Sequence, residues 1–130
     1  TYTCEVRDVL IDHEIDLIAM AGFGTILNKP IYDDFSNRIL NTHPSLLPSF
    51  PGWHAVEEAL EYGVKVTGCT VHIATEEVDA GPILAQESIP VLKDDTKETL
   101  HERIKTVERQ LYVDTINKII TTNGQIERDQ

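Results

Sequence analysis

The chain has 130 residues, 41% of them hydrophobic, enough apolar material for one domain with a modest core. Its 22 acidic residues outnumber 11 Lys and Arg, and the net charge of -11 repels nucleic-acid backbones and anionic lipid over most of the surface. No apolar run approaches the roughly 18 residues of a membrane span, and no basic start leads into an apolar core, so the chain reads as cytoplasmic, with no nucleic-acid or membrane partner.

From Cys4 to His13, the apolar residues Val6, Val9 and Leu10 recur at helical spacing. The apolar run "DLIAMAGFG", closed by glycines, predicts a buried strand. Pro30 to Phe35 predicts a short helix entered through proline, and "RILN" a second buried strand that delivers Asn41 at its carboxyl end. Prolines at 44, 48 and 51 then restrict the backbone of a loop. Ala55 to Tyr62 is built of helix formers and stops at Gly63, a glycine C-cap. "VKVTGCTVHIAT" and "PILAQESIPV" predict strands joined by the acidic turn "EEVDAG". Asp95 with Glu98 predicts a capping pair, after which Leu100, Ile104, Val107, Leu111, Ile116 and Ile119 mark one face of a long helix. Residues 1–120 are expected to form one domain and 121–130 a frayed tail. The alternation of helices with short apolar strands implies an α/β fold, mostly parallel, with an antiparallel addition from the last two strands. The chain starts at Thr1 and enters a helical pattern almost at once, which suggests processing or a fragment.

Cys4 and Cys69 show no CxxC or metal-ligand spacing and read as reduced thiols, Cys69 as a small buried core residue. In open parallel sheets, ligands bind at the carboxyl ends of strands, where both "GFG" and "NTHPSLLPSFPG" fall. Asn41 and His43 lie two positions apart, so an amide donor and a protonatable ring on one side of a strand could converge on one developing negative charge. For an isolated Asn-x-His the plainer reading, a turn cap and a packed imidazole, is the better one.

"AGFGTIL", "NTHPSLLPSFPG", "GVKVTGCTVHI" and "VDAGPILAQ", in that order and spacing, resemble the folate-dependent formyltransferases, and "PSFPG" and "DAGPILAQ" are closest to the branch acting on glycinamide ribonucleotide. The similarity runs from about Asp16 to about Leu111. It implies a Rossmann-like formyltransferase fold and transfer of a formyl group from 10-formyltetrahydrofolate, as cosubstrate, to the amine of glycinamide ribonucleotide in de novo purine synthesis, with no metal. It also implies that Asn41 and His43 stabilise the oxyanion, while Asp79 orients and charges His43 and organises proton transfer. Alone, an Asp before Ala-Gly is ordinary turn chemistry.

By the same resemblance, folate lies against Thr25, Ile26, Leu27, Ile39, Ala74, Thr75 and Glu76, held largely by main-chain groups. Gly24, Pro44 and Glu108 would face the second substrate, Glu108 through its ribose hydroxyls. The plainer readings are core for Ile26, Leu27 and Ile39, and a solvated helix charge for Glu108. His72, in "TVHI", reads as a hydrogen-bonded core histidine, and His13, His54 and His101 as surface residues.

Two features depart from the family. Gly24-Thr25 stand where Met-Arg is usual, which widens the space near the substrate and removes a cation. The family's amino-terminal β-α-β unit, with its glycine-rich phosphate loop, is lacking. Two other readings therefore stand beside the transferase: a formyltetrahydrofolate hydrolase using the same triad on water, and a truncated, non-catalytic folate-binding module. The missing half would also expose a strand edge near Leu17–Met20, which implies a homodimer or association with a chain supplying that half.

Overall fold

The computed structural model describes residues 2–20, 29–77 and 79–122. Along the chain these form α1 (Tyr2–Asp12), β1 (Ile18–Ala19), α2 (Lys29–Asp34), β2 (Ile39–His43), α3 (Ala55–Tyr62), β3 (Val66–Ile73), β4 (Ile83–Pro90) and α4 (Lys97–Thr121). The four strands make one sheet in the order β1-β2-β3-β4. β1 and β2 run parallel, with Ile18 opposite Ile39, while β2–β3 and β3–β4 are antiparallel. The sheet is mixed, as expected of an α/β fold with an antiparallel addition, and among the described residues that addition is the larger part. The reason lies in the loop after His43 and in α3, which keep the chain at the carboxyl end of β2, so that β3 starts there and returns alongside.

Strand alternation buries β2 on both faces. Ile39 enters a cluster with Ile31, Phe35 and Ala74, against which Val6 and Leu10 of α1 pack. Leu40 faces the other way, into a cluster with Val71, Ile73, Leu84 and Ile119 of α4. A third cluster joins Val56 of α3 to Cys69, Ile89, Leu100 and Ile104. Among the described residues no helix is long and apolar enough to cross a membrane.

Two local expectations change. The strand expected over 16–24 is paired only at Ile18 and Ala19, the first partly buried and the second exposed, because among the described residues β1 lies at an edge of the sheet; residues 21–24 are outside them. The cap of α4 is Thr96, not Asp95 with Glu98: the Thr96 hydroxyl accepts from the Thr99 N–H at 3.3 Å and the Thr99 hydroxyl accepts from the Thr96 N–H at 2.9 Å. Asp95 instead accepts two bonds from Arg103, at 2.8 and 2.7 Å, and one from the Leu92 N–H at 2.7 Å. Those bonds, Arg103 foremost, hold its carboxyl well below the usual aspartate range and tie the end of β4 to α4. Gly63 caps α3 as expected, in the left-handed region at φ 85°, its N–H bonded to the Ala59 carbonyl.

Candidate functional site

The carboxyl end of β2 delivers Asn41, Thr42 and His43 into a loop tied to its neighbours. The Thr70 hydroxyl of β3 donates to the Ser45 carbonyl at 2.7 Å and accepts from the Leu47 N–H at 3.1 Å. Gln86 of β4 reaches across β3, and its Nε2 donates to the Leu47 carbonyl at 2.9 Å and to the Thr70 hydroxyl at 3.0 Å. Within the loop, the Ser45 hydroxyl donates to the Ser49 and Phe50 carbonyls, and the Leu47–Pro48 bond is cis. Phe50 sits at φ 50°, an uncommon conformation for an aromatic residue that these bonds help to hold. Its carbonyl consequently meets the His43 ring.

His43 is buried, and its Nε2 lies 2.7 Å from the Phe50 carbonyl oxygen. A carbonyl only accepts, so Nε2 carries the proton. Nδ1 lies 3.5 Å from Oδ1 of Asp79, a carboxylate whose side chain is 8% exposed and whose Oδ2 accepts the Gly52 N–H at 2.8 Å. Both ring nitrogens therefore face acceptors, an arrangement that an imidazolium satisfies and a neutral ring does not. Asp79 itself occupies the left-handed region at φ 57°, which aspartate tolerates. A Cβ on nearby Gly81 would overlap the Ile73 carbonyl oxygen, so the turn lies close against the end of β3.

His72 stands opposite Asn41 in the β2–β3 register. Its Nδ1 donates to the Ile73 carbonyl at 3.2 Å, and burial pushes its pKa down, so the ring is neutral and Nε2 bare. Nε2 has no hydrogen-bond partner among the described residues and lies 3.9 Å from Asp79 Oδ1. The core position matches the expectation, whereas the half-satisfied ring facing a carboxylate was not legible in "TVHI".

Asn41 and His43 thus share one strand end, with Asp79 folded back onto His43 from 36 residues further along. The formyl transferase family model matches residues 1–116. The chain belongs to that family. A phosphoribosylglycinamide formyltransferase of Mycobacterium tuberculosis is 55% identical over 109 residues, which are 84% of this chain and 51% of that protein. A solved phosphoribosylglycinamide formyltransferase from Bacillus halodurans is 43% identical, with a TM-score of 0.87 over 92% of this chain and 61% of its own. A formyltetrahydrofolate deformylase from Pseudomonas syringae is 32% identical, with a TM-score of 0.82 over 86% of this chain and 38% of its own. The chain spans about half the length of the curated relatives it matches.

In this formyl transferase chain, α4 brings Glu108 to the same strand end. It is half-buried, and burial pushes its carboxyl pKa up against the opposing pull of the Thr42 hydroxyl and His43. A helix-surface glutamate in water has neither neighbour. Pro44, partly buried, follows His43 directly. The stretch assigned to folate is divided: Ile39 and Ala74 are buried together at the amino end of β2, where the Ala74 N–H donates to the Ile39 carbonyl at 2.8 Å. Thr75 and Glu76 present side chains to solvent, Thr75 donating its hydroxyl to the Glu77 carbonyl at 3.1 Å. Gly24, Thr25, Ile26 and Leu27 lie outside the described residues. Burial raises the Cys69 thiol to about 11, which leaves it unreactive at neutral pH.

Sequence reasoning passed over the Phe50 carbonyl, the Gly52 N–H and the Thr70–Gln86 brace. The first two are backbone groups with no residue signature. Thr70 and Gln86 read as ordinary strand residues, and only their pairing across β3 and β4 gives them the loop to hold.

Proposed function

We propose that this chain is the catalytic part of a cytoplasmic glycinamide ribonucleotide formyltransferase, residues 1–120 forming one folate-binding domain, which moves the formyl group of 10-formyltetrahydrofolate onto the amine of glycinamide ribonucleotide. The observation that carries this reading is the buried His43 ring held between the Phe50 carbonyl and Asp79, two residues after Asn41 on a strand end. As the amine lone pair attacks the formyl carbon, the C–N bond forms and the carbonyl electrons move onto oxygen. In this proposal the Asn41 amide N–H donates to that oxyanion, while the His43 ring, whose nitrogens already face the Phe50 carbonyl and Asp79, acts on it through charge. Collapse breaks the bond to the folate nitrogen, which takes up a proton while the new amide nitrogen loses one. Asp79, holding His43 charged, organises that exchange. Pro44 and Glu108 belong to the nucleotide side of this proposal, with Gly24, and Thr75 and Glu76 to the folate side, with Thr25, Ile26 and Leu27.

The likeness to a deformylase favours a second reading, in which water replaces the amine. One assay separates them: the chain is mixed with 10-formyltetrahydrofolate, with and without glycinamide ribonucleotide, and released tetrahydrofolate and formylated nucleotide are measured. Release that depends on the nucleotide and yields its formyl derivative is the expected result. Equal release without acceptor would make the chain a hydrolase, and no release in either mixture would overturn both readings for this chain alone.

The partner proposal concerns β1. The N–H groups of Ile18 and Met20 bond to the Arg38 and Leu40 carbonyls, at 2.8 and 2.9 Å, so the N–H of exposed Ala19 points away from the sheet. We infer that this edge takes a further strand, from a second copy of the chain or from another chain that supplies one. Light scattering over a dilution series is expected to show an assembly larger than one chain at micromolar concentration. Ala19→Pro removes only the outward donor and should shift that assembly towards monomer. A wild-type monomer at every concentration would remove the self-pairing version of the proposal.

A further inference from the structure

Tyr112 lies one helical turn beyond Glu108 on α4, on the same side of the helix. Its hydroxyl reaches the carbonyl oxygens of Met20, at 2.8 Å, and Leu40, at 3.1 Å. Those two carbonyls belong to adjacent strand segments, because the Met20 N–H bonds to the same Leu40 oxygen at 2.9 Å. One phenol from α4 therefore closes the seam between β1 and β2 where β1 ends. It packs there beside Leu17, Leu111 and Ile116, against the cluster around Leu40.

The placement of the two side chains matches the two repeats involved. Tyr112 stands at Leu40, and Glu108 stands at Thr42 and His43. Four residues of helix rise about 6 Å and two residues of strand about 6.6 Å. The helix thus runs back along β2, and the position of this part of α4 sets both contacts. A shift of α4 by one turn would remove the phenol from its carbonyls and carry Glu108 away from the strand end together.

We propose that Tyr112 is a positioning residue, whose hydroxyl locks the register of α4 on β2 and so holds Glu108 against Thr42 and His43. The functional meaning of that placement rests on the reading of Glu108 as a nucleotide-side group, but the placement itself does not. Burial, and then the Glu108 charge, push the phenol pKa up, which keeps the hydroxyl a neutral donor at any physiological pH. Near its start α4 is held by the Arg103 bonds to Asp95 and to the Pro90 carbonyl; two turns further on, apolar packing leaves room to shift between neighbouring ridges, and the directional bond of Tyr112 to backbone carbonyls has one position.

The experiment is an NMR titration of the Glu108 carboxyl in this chain and in Tyr112→Phe, which keeps the ring and removes the hydroxyl. In Tyr112→Phe, water should reach Glu108 and its midpoint should shift downward, towards that of an ordinary glutamate. Amide exchange at Met20 should speed about fivefold, the factor expected for one lost hydrogen bond. A merely structural role would speed exchange across the core and leave the Glu108 midpoint where it is, and that result overturns the proposal. If Tyr112→Phe does not fold, the unsubstituted chain is examined: a slowly exchanging Tyr112 hydroxyl proton in contact with Met20 and Leu40 supports the lock, and a freely exchanging one overturns it. None of these readouts uses formyl transfer, so their failure is distinguishable from failure of the functional reading.

Discussion

His43→Ala is expected to lower formyl transfer at least about a hundredfold, the loss seen when a preorganised oxyanion donor is removed, under whatever conditions the unsubstituted chain turns over. In the proposed mechanism the ring acts on the oxyanion beside the strand end, and its two neighbours there do not replace it: Asp79 is acidic, and burial pushes the His72 pKa down. Removing the ring also takes a partner from two acceptors, the Phe50 carbonyl, which keeps only the Ser45 hydroxyl, and Asp79 Oδ1, so part of the damage is structural. Asp79→Asn separates the two contributions. It keeps the side-chain volume and can still accept the Gly52 N–H, but it withdraws the charge that favours an imidazolium at His43. It should therefore lose formyl transfer by a similar factor while thermal unfolding moves less than in His43→Ala. Folate affinity, followed by fluorescence, should survive both substitutions, because the folate contacts proposed are mostly main-chain. Near-wild-type turnover in His43→Ala would refute the catalytic assignment.

Gly81→Ala should be the most damaging single methyl added to the described chain. The new Cβ would overlap the Ile73 carbonyl oxygen, a backbone atom that cannot rotate away as a side chain would. Ile73 in turn belongs to the Leu40 cluster, and its N–H bonds to the Pro82 carbonyl at 2.9 Å, so both sides of the clash are anchored. The cost should reach about 3 kcal/mol or more, the upper part of the range for overpacking, and a lowered urea midpoint measures it. Relief has to come from moving the turn that carries Asp79, which would lengthen its bond to the Gly52 N–H and its approach to His43. Activity should therefore fall even under conditions where the variant is folded. Unchanged midpoint and activity would mean that the turn does not pack as described. Gly63→Ala offers the contrast: a Cβ there meets nothing within 4 Å, and only the positive φ of 85° opposes it, so its effect should be about 1 kcal/mol or less.

What the amino-acid sequence determined by itself was the set of local elements whose signals are short in range. Helix formers running into Gly63 defined α3, β-branched residues defined β3, and the apolar spacing from Leu100 to Ile119 defined α4, because caps, turns and side-chain periodicity act over one or two turns of chain. Asn41 and His43 were raised as candidates by their spacing at a strand end but carried only by the family motifs, as Asp79 was by "VDAG", and the structure brings His43 and Asp79 together. The tertiary structure decided everything that depends on groups distant in the chain or on backbone atoms. Asp95 reads locally as a cap, but Arg103 competes for its carboxylate with two charge-assisted bonds, and Thr96 takes the cap instead. Glu108 reads as a solvated charge until Thr42 and His43 are beside it. The His43 ring is held between the Phe50 carbonyl on one side and Asp79 on the other, seven and 36 residues away, and backbone carbonyls carry no letter in a sequence. Hydrogen bonding and charge act through space over a few ångströms, and it is the antiparallel return of β3 along β2, with α4 laid over both, that brings those partners within reach.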